Sequence, residues 1–200
     1  MPLEIQPSFA LSVEVKGLGI AAGLQDRVIQ CYENIVYMDF DRSQERHIDG
    51  FACYAYEPLL LTAQPPLYLA MHTALSEPTE AFHNDLKGRY MRGEPEVVDG
   101  MQHFATFAAE GRDALINGDT ARLHRLIDEN FDTRCQICRL PEWQTQMVTT
   151  ARQCGASAKF AGSGGAIIGT YDGEAMFEQL VVTMASIGSQ VIKPQIVPTS

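Results

Sequence analysis

The octapeptide KFAGSGGA, Lys159 to Ala166, places three glycines and a serine between two short segments of β type. Glycine permits positive φ and lacks a Cβ atom, so a glycine-rich backbone can approach a ligand closely and direct N–H groups at it. A plain tight hairpin uses the same residues, and on the pattern alone that interpretation is favoured. The stretch is not a Walker A loop, because no Lys-Ser or Lys-Thr follows its last glycine, and it lacks G-x-G-x-x-G.

The elements around this loop predict an α+β domain. Leu67 to Met71 is a near-continuous apolar run, which is typical of a strand buried on both faces. We expect this strand to share a largely antiparallel sheet with strands near 156–161, 165–170 and 190–196. Helical patterns cover about 80–92, 96–117, a segment after the N-cap Asp119, 142–154 and 173–188. This order of strands and helices indicates an antiparallel sheet backed by helices on one side.

A shorter unit precedes this domain. Alternating apolar and polar residues predict a strand at 9–15, and a glycine-rich turn follows at 17–23. Residues 24–32 have helical phasing, and the β-branched and aromatic residues at 35–40 predict a second strand. Residues 41–64 are interpreted as an irregular loop with a short strand near 51–56. We therefore predict two domains, residues 1–64 and residues 65–200.

The charge balance argues against several classes of partner. The 200 residues carry a formal net charge of −10, and the basic residues are scattered along the chain. Nucleic acids and anionic membranes need clustered Lys and Arg, so we predict neither as a partner. No apolar run approaches the roughly 20 residues that span a bilayer, and no secretory signal is visible. Five cysteines without framework spacing predict reduced thiols and a cytoplasmic location.

The sequence predicts no metal site. Cys135 and Cys138 have the spacing of a ligand pair, but a structural zinc site needs a second pair, and no further CxxC or HxxxH follows. The two cysteines also lie in a helical stretch, where residues i and i+3 are neighbours for packing reasons alone. The five histidines show no ligand spacing.

Asp26 is a candidate catalytic residue. It stands at the start of the predicted helix at 24–32, directly after the glycine-rich turn. An acidic residue in a first helical turn interacts favourably with the helix dipole, and this explanation is favoured on the sequence pattern alone. The functional alternative is a carboxylate that orients or deprotonates a substrate hydroxyl.

Asn130 and Arg134 form a second candidate site. Together with Leu123 and Ile127 they are spaced 4, 3 and 4 residues apart, so all four lie on one helix face. Polar groups at positions phased toward a core need partners. Either they hold neighbouring carbonyls or carboxylates, or they line a cleft, and the sequence leaves both alternatives open.

Several collinear stretches resemble the C-terminal part of GHMP small-molecule kinases, specifically sugar kinases of the glucuronokinase type. Gly17–Phe40 resembles the part that carries the catalytic aspartate, and Lys159–Gly169 resembles the third family motif, a glycine loop beside the nucleotide phosphates. The runs PPLYLA (65–70), EGRDALINGD (110–119) and NFDTR (130–134) follow the same order. The resemblance implies a ferredoxin-like C-terminal domain, preceded by a strand–helix–strand remnant of the N-terminal domain.

The resemblance also implies a reaction and a set of roles. We expect ATP-dependent phosphoryl transfer to a hydroxyl of a sugar or sugar acid, with the anomeric hydroxyl as acceptor and Mg²⁺ bridging the phosphates. Asp26 matches the catalytic aspartate, and Asn130 and Arg134 match a subfamily pattern of substrate contacts. The phosphate-binding loop is matched by Gly162, Ser163, Gly164 and Gly165.

Two departures from the family pattern leave two functions open. Ala161 stands where the third motif has Thr, and the second motif, P-x-x-x-G-L-G-S-S-A, is absent from the sequence. The chain alone is therefore expected to lack most of an ATP site. It is then either one portion of a sugar kinase, which binds an N-terminal kinase fragment or self-associates, or a kinase-derived binding module without turnover. Apolar surface is expected at Val13, Val15, Val28, Ile35 and Val36 if such a fragment is needed.

Overall fold

The computed structural model describes residues 1–20, 22–61, 63–73, 80–162 and 164–195, without the side chains of 80–85. The chain divides into two compact units, residues 1–60 and, in the described part, residues 61–195. The predicted boundary lies after residue 64. That the first unit is a remnant of an N-terminal kinase domain stays a prediction. Among the residues that the structure describes, no helix is both long and apolar enough to span a bilayer.

The first unit contains two short helices and two antiparallel strand pairs. Helix α1 (Gln6–Ser12) continues into a π-helical turn (Val13–Gly17), and α2 (Leu24–Tyr32) follows. The strands are β1 (Val36–Asp39), β2 (Arg46–Ile48), β3 (Phe51–Cys53) and β4 (Ala55–Pro58), with a 3-10 turn at Arg42–Gln44. Strand β1 pairs with β4, and β2 pairs with β3. Residues 41–64 are thus more regular than predicted.

The strand predicted at residues 9–15 is wrong, because these residues are helical. Seven residues of alternating polarity are too few to exclude a helix, and Pro7 in the first turn of α1 favours a helix start through its fixed φ. The hydroxyl of Ser8 donates to the carbonyl oxygen of Ala52 at 2.5 Å, which ties α1 to β3. The predicted strand–helix–strand remnant is therefore a helix–helix–strand unit.

The apolar surface expected on the first unit is present in part. Val13 and Val15 are each 46% exposed, as predicted. Val28 is fully buried, so the prediction is wrong there, because α2 packs against α1 within the unit. Ile35 and Val36 are half-buried.

The second unit contains the predicted antiparallel sheet. Its strands are β5 (Leu67–His72), β6 (Lys159–Phe160), β7 (Ala166–Thr170) and β8 (Ser189–Ile192), in the order β6-β7-β5-β8, and every pair is antiparallel. The helices are α3 (Glu80–Met91), α4 (Pro95–Asn117), α5 (Thr120–Ile137), α6 (Glu142–Gln153) and α7 (Gly173–Ala185). The N-cap prediction is also confirmed, because Asp119 Oδ1 accepts a hydrogen bond from the Arg122 N–H at 2.9 Å.

Packing in the core of this unit positions the segment that leads into the hairpin of β6 and β7. Side chains of the sheet pack with those of α5, α6 and α7, among them Phe131, Met147 and Leu180. Tyr68 is fully buried, and its hydroxyl donates to the carbonyl oxygen of Ser157 at 2.8 Å. A Cβ atom on Gly169 would lie 1.7 Å from the same oxygen, so only glycine lets β7 approach the segment that leads into β6. The mixed helix and sheet confirm the α+β class, and the ferredoxin-like description stays a prediction.

Candidate functional site

The glycine loop is the turn of the hairpin between β6 and β7. The Ala161 N–H donates to the Ala166 carbonyl oxygen at 2.9 Å and closes the turn. Gly162, Gly164 and Gly165 have φ of 85°, 145° and 78°, which L side chains rarely adopt. The backbone thus forms the tight hairpin that the sequence pattern favoured, and the conformation of this turn requires the three glycines. The remaining predicted loop residue, Ser163, lies outside the described residues.

Arg134 contacts this loop directly. Its Nη1 donates to the carbonyl oxygen of Gly162 at 3.0 Å, and its guanidinium carbon lies 5.0 Å from the centroid of the Phe160 ring. Burial lowers the pKa of the Arg134 guanidinium. Of the two alternatives left open by the sequence, Arg134 thus holds a neighbouring carbonyl, and that carbonyl belongs to the predicted phosphate loop. Asn130 lies half-buried one turn earlier on α5, and its contact with a substrate stays a prediction.

Lys159 is a second cation at the loop, and the sequence analysis did not assign it a role. Its ammonium donates to the carbonyl oxygen of Phe160 at 3.2 Å. Burial lowers the pKa of Lys159, and the neighbouring Arg134 guanidinium lowers it further. The signal that could have found Lys159 is a lysine three residues before the first glycine of the loop, next to Phe160 in β6.

The beginning of α6 also lies against the loop. A Cβ atom on Gly164 would come within 2.3 Å of Gln144 Oε1, so the amide of this side chain rests on the glycine backbone. Trp143 also contacts Gly165, because a Cβ atom on Gly165 would lie 3.9 Å from the Trp143 ring. The same ring packs edge-to-face on His72. Gln144 and Trp143 were missed by the sequence analysis, because nothing in α6 alone shows that it meets the loop.

A hydrogen-bond network ties α5 to the strands that flank the loop. Asp128 Oδ1 accepts from the Ala158 N–H at 2.9 Å, immediately before β6. His124 Nδ1 lies 3.0 Å from the Thr170 hydroxyl, which in turn lies 2.8 Å from the Ser157 hydroxyl. Because α5 also carries Arg134, this network fixes the helix relative to both strands of the hairpin.

Asp26 lies in the first unit, in the first turn of α2, as the sequence predicted. Its side chain is 75% exposed, and its Oδ2 lies 3.3 Å from Arg27 Nη1. Arg27 also bonds to the carboxylate of Glu14 and, at 3.3 Å, to the Gly23 carbonyl oxygen. An exposed carboxylate at a helix start agrees with both the electrostatic and the catalytic explanation, so the catalytic role stays a prediction.

The acidic and sulfur-containing side chains do not form a metal centre in the described ranges. No group of three or more His, Cys, Asp or Glu among these residues is arranged to hold a metal ion. Cys135 is exposed near the end of α5, and Cys138 is half-buried just after it.

Comparison with solved structures defines the class of this fold. The structure resembles phosphomevalonate kinase of Streptococcus pneumoniae with a TM-score of 0.76 and 13% identity, over 97% of this chain and 62% of that one. It also resembles the galactokinase of Lactococcus lactis with a TM-score of 0.67 and 12% identity, over 98% of this chain and 60% of that one. The fold is therefore that of the GHMP kinases.

Relatives found by sequence similarity indicate a narrower group of proteins than the fold does. Glucuronokinase 1 of Arabidopsis thaliana is 37% identical over 83% of this chain and 45% of its own length, and probable glucuronokinase 2 of the same plant gives the same three values. No protein-family model matches the chain. The chain is thus a GHMP kinase homologue of the glucuronokinase type, which confirms the predicted resemblance. It spans less than half of the length of the curated relatives that it matches.

Proposed function

We propose that the chain is the C-terminal portion of an ATP-dependent kinase that phosphorylates a sugar acid, at the anomeric hydroxyl. The observation that carries the proposal is the glycine loop, in which three glycines have positive φ and are contacted by Arg134 of α5 and by side chains of α6. A loop of this kind suits phosphate oxygens, because the backbone can come close and direct N–H groups at them. The relatives named glucuronokinase support a sugar acid as the acceptor.

The proposed roles follow from what phosphoryl transfer requires. Positioning and charge stabilisation supply most of the catalysis in such reactions. Gly162, Gly164 and Gly165, with Ser163 from the sequence prediction, support the phosphates of ATP. Arg134 holds this loop, and with Asn130 it contacts the substrate. Asp26 orients or deprotonates the attacking hydroxyl.

In this proposal Mg²⁺ is bound mainly by the phosphates of the nucleotide. Mg²⁺ usually keeps several waters and is bound through substrate phosphates with one or two carboxylates. The described residues offer no group of three or more acidic or other ligating side chains, so they do not form a dedicated metal cage. The chemistry that the ion supplies when bound is neutralisation of phosphate charge.

The chain alone is expected to turn over little or no ATP. The motif P-x-x-x-G-L-G-S-S-A is absent from its sequence, and in the family that loop carries the triphosphate. We expect the chain to bind an N-terminal kinase fragment supplied in trans, or to self-associate, through apolar surface that includes Val13 and Val15. Sedimentation tests this part, and a monodisperse monomer that never binds such a fragment would contradict it.

The reaction is tested with a completed enzyme. In this enzyme, the N-terminus of the chain is fused to the segment of Arabidopsis thaliana glucuronokinase 1 that has no counterpart in the chain. With ATP, Mg²⁺ and glucuronic acid, ³¹P NMR should show a new ester resonance with coupling to the anomeric proton, while the isolated chain gives none. A completed enzyme that binds ATP but yields no sugar phosphate would refute the proposed reaction.

The second candidate is a binding module without turnover. It is favoured by Ala161 at the position where the family has Thr. This alternative predicts binding of a small ligand by the isolated chain and no phosphoryl transfer by the completed enzyme.

A further inference from the structure

Arg27 follows Asp26 directly in α2, but the two side chains have different surroundings. The Arg27 side chain is only 14% exposed, whereas that of Asp26 is 75% exposed. Successive residues of a helix point in directions about 100° apart, so their side chains do not normally meet. Here Arg27 Nη1 nevertheless lies 3.3 Å from Asp26 Oδ2 and 3.3 Å from the Gly23 carbonyl oxygen. The Arg27 side chain is therefore turned back toward the N-terminus of the helix.

Glu14 holds Arg27 in this position. Its carboxylate forms an ion pair with Arg27 Nη2, and the Glu14 side chain is 28% exposed. Glu14 belongs to the π-helical turn, and its carbonyl oxygen accepts hydrogen bonds from the N–H groups of Leu18 at 3.2 Å and Ile20 at 3.0 Å. Single π-helical turns occur frequently at functional sites. Glu14 thus bonds through its backbone to the glycine-rich turn that precedes α2, and through its side chain to α2 itself.

An ion pair that only joins the π-helical turn to α2 would not need the contact with Asp26. A lysine could supply such an ion pair, because one ammonium is enough for one carboxylate. A guanidinium carries five N–H donors in a planar fork, so it can bond to Glu14, Gly23 and Asp26 at the same time. Arginine at this position therefore adds a contact that restrains an otherwise exposed carboxylate.

Restraint of the Asp26 carboxylate matters for the proposed reaction. Phosphoryl transfer depends mostly on positioning, and a displacement of about 1 Å can lower a rate about a hundredfold. We propose that Arg27, held by Glu14, is a positioning residue that orients the Asp26 carboxylate for phosphoryl transfer. The inference rests on the proposed function for the role of Asp26. Since Arg27 engages Oδ2, Oδ1 is the oxygen left to accept a hydrogen bond from the attacking hydroxyl.

Two substitutions in the completed enzyme separate positioning from stability. Arg27→Lys keeps a cation for Glu14 but loses the planar fork, and Arg27→Gln loses both. In each variant the single-turnover rate of phosphoryl transfer should fall at least about tenfold, with unchanged dissociation constants for ATP and glucuronic acid. The urea midpoint of unfolding should fall only in Arg27→Gln, which leaves the Glu14 carboxylate unpaired. A merely structural role predicts that Arg27→Lys retains both the wild-type rate and the wild-type midpoint, and this result would overturn the proposal.

A double variant shows whether Arg27 acts through Asp26. In an Asp26→Asn enzyme the positioned carboxylate is gone, so adding Arg27→Gln should lower the rate by less than about twofold. An equal fall with and without the carboxylate would mean that Arg27 contacts the substrate itself, and it would refute the positioning role. Arg46→Gln is the matched control, because it removes the ion pair of Arg46 with Glu4 in the same unit. Its rate should equal that of the wild type.

A measurement without turnover tests the contact in the isolated chain. The side-chain carboxyl signal of Asp26 is identified by ¹³C NMR as the one lost in Asp26→Asn. Because Glu14 is distant in sequence and is joined to Asp26 through Arg27, the Asp26 signal should shift in Glu14→Gln and in Arg27→Gln. It should stay in place in Arg46→Gln.

This signal also separates a failure of the inference from a failure of the proposed function. An Asp26 signal that shifts no more in Glu14→Gln than in Arg46→Gln would refute the inference, whether or not the completed enzyme is active. A completed enzyme without sugar phosphorylation would refute the proposed function, while the carboxyl signal would still decide whether Glu14 and Arg27 hold Asp26.

Discussion

The glycine loop and the start of α2 are both rich in glycine, but they differ in how many neighbouring side chains contact them. The loop has three glycines with positive φ, and side chains of both α5 and α6 contact it. Asp26 projects from the first turn of α2 with a side chain that is 75% exposed. A loop fixed from several sides cannot change without disturbing its neighbours, whereas an exposed carboxylate can. Substitutions at the two places should therefore separate effects on folding from effects on chemistry.

The largest effect is expected at Gly169, which lets β7 support the loop. In Gly169→Ala the added Cβ atom would lie 1.7 Å from the Ser157 carbonyl oxygen, so β7 has to move. We expect a loss of at least about 4 kcal/mol in the free energy of unfolding, or no folding at all. Urea denaturation followed by circular dichroism measures it.

Gly111→Ala is the control for this substitution. Gly111 is buried in α4, but nothing lies within 4 Å of the position of its Cβ atom. Alanine should therefore stabilise the helix by about 0.5–1 kcal/mol. Equal stability of the two variants would show that the close approach at Gly169 is not required.

An intermediate effect is expected at Arg134. Arg134→Gln removes the hydrogen bond to the Gly162 carbonyl oxygen and the contact with the Phe160 ring. We expect a loss of about 1.5–3 kcal/mol in the free energy of unfolding, as for other hydrogen bonds that involve a charged group. Arg139→Gln, at an exposed position after α5, should stay within about 0.5 kcal/mol of the wild type. Equal losses would show that Arg134 does not anchor the loop.

The smallest effect on stability is expected at Asp26. Asp26→Asn removes a charge from a first helical turn, which is worth about 0.3–1 kcal/mol at an exposed site. The change should decrease as salt is added, because salt screens exposed charges. Thermal denaturation at low and high salt measures both. A loss of several kcal/mol would mean that Asp26 has a structural role that its exposure does not indicate.

The sequence predicted the second unit more accurately than the first. The strand at 67–72 and its antiparallel partners were predicted from the apolar run Leu67–Met71, but burial on both faces was wrong, because only Tyr68 and Ala70 are fully buried and Met71 is 39% exposed. Asp119 was predicted as an N-cap because it follows a helix-ending Gly118. The strand predicted at 9–15 failed because a short alternating run does not fix a period, and the helix that includes it begins earlier, with Pro7 in its first turn.

At the candidate site, too, the sequence predicted local patterns but not the contacts between distant elements. The glycines and Arg134 were found separately, since each lies in a recognisable local pattern. Their contact was not predicted, because 28 residues separate Arg134 from Gly162 and only the fold brings them together. Gln144 carries no local signal that it meets the loop, because its contact with Gly164 joins two separate elements.

The central claim is that the loop binds nucleotide phosphates while Asp26 acts in the chemical step. The most direct test measures ATP affinity and the single-turnover rate of phosphoryl transfer in the completed enzyme and in two variants of it. Asp26→Asn should lower the rate by about 10²–10⁴-fold and leave the ATP dissociation constant nearly unchanged. Gly164→Ala, whose Cβ atom would displace Gln144, should weaken ATP binding at least about tenfold. An Asp26→Asn enzyme with close to full rate, or a Gly164→Ala enzyme with wild-type ATP affinity, would contradict the account.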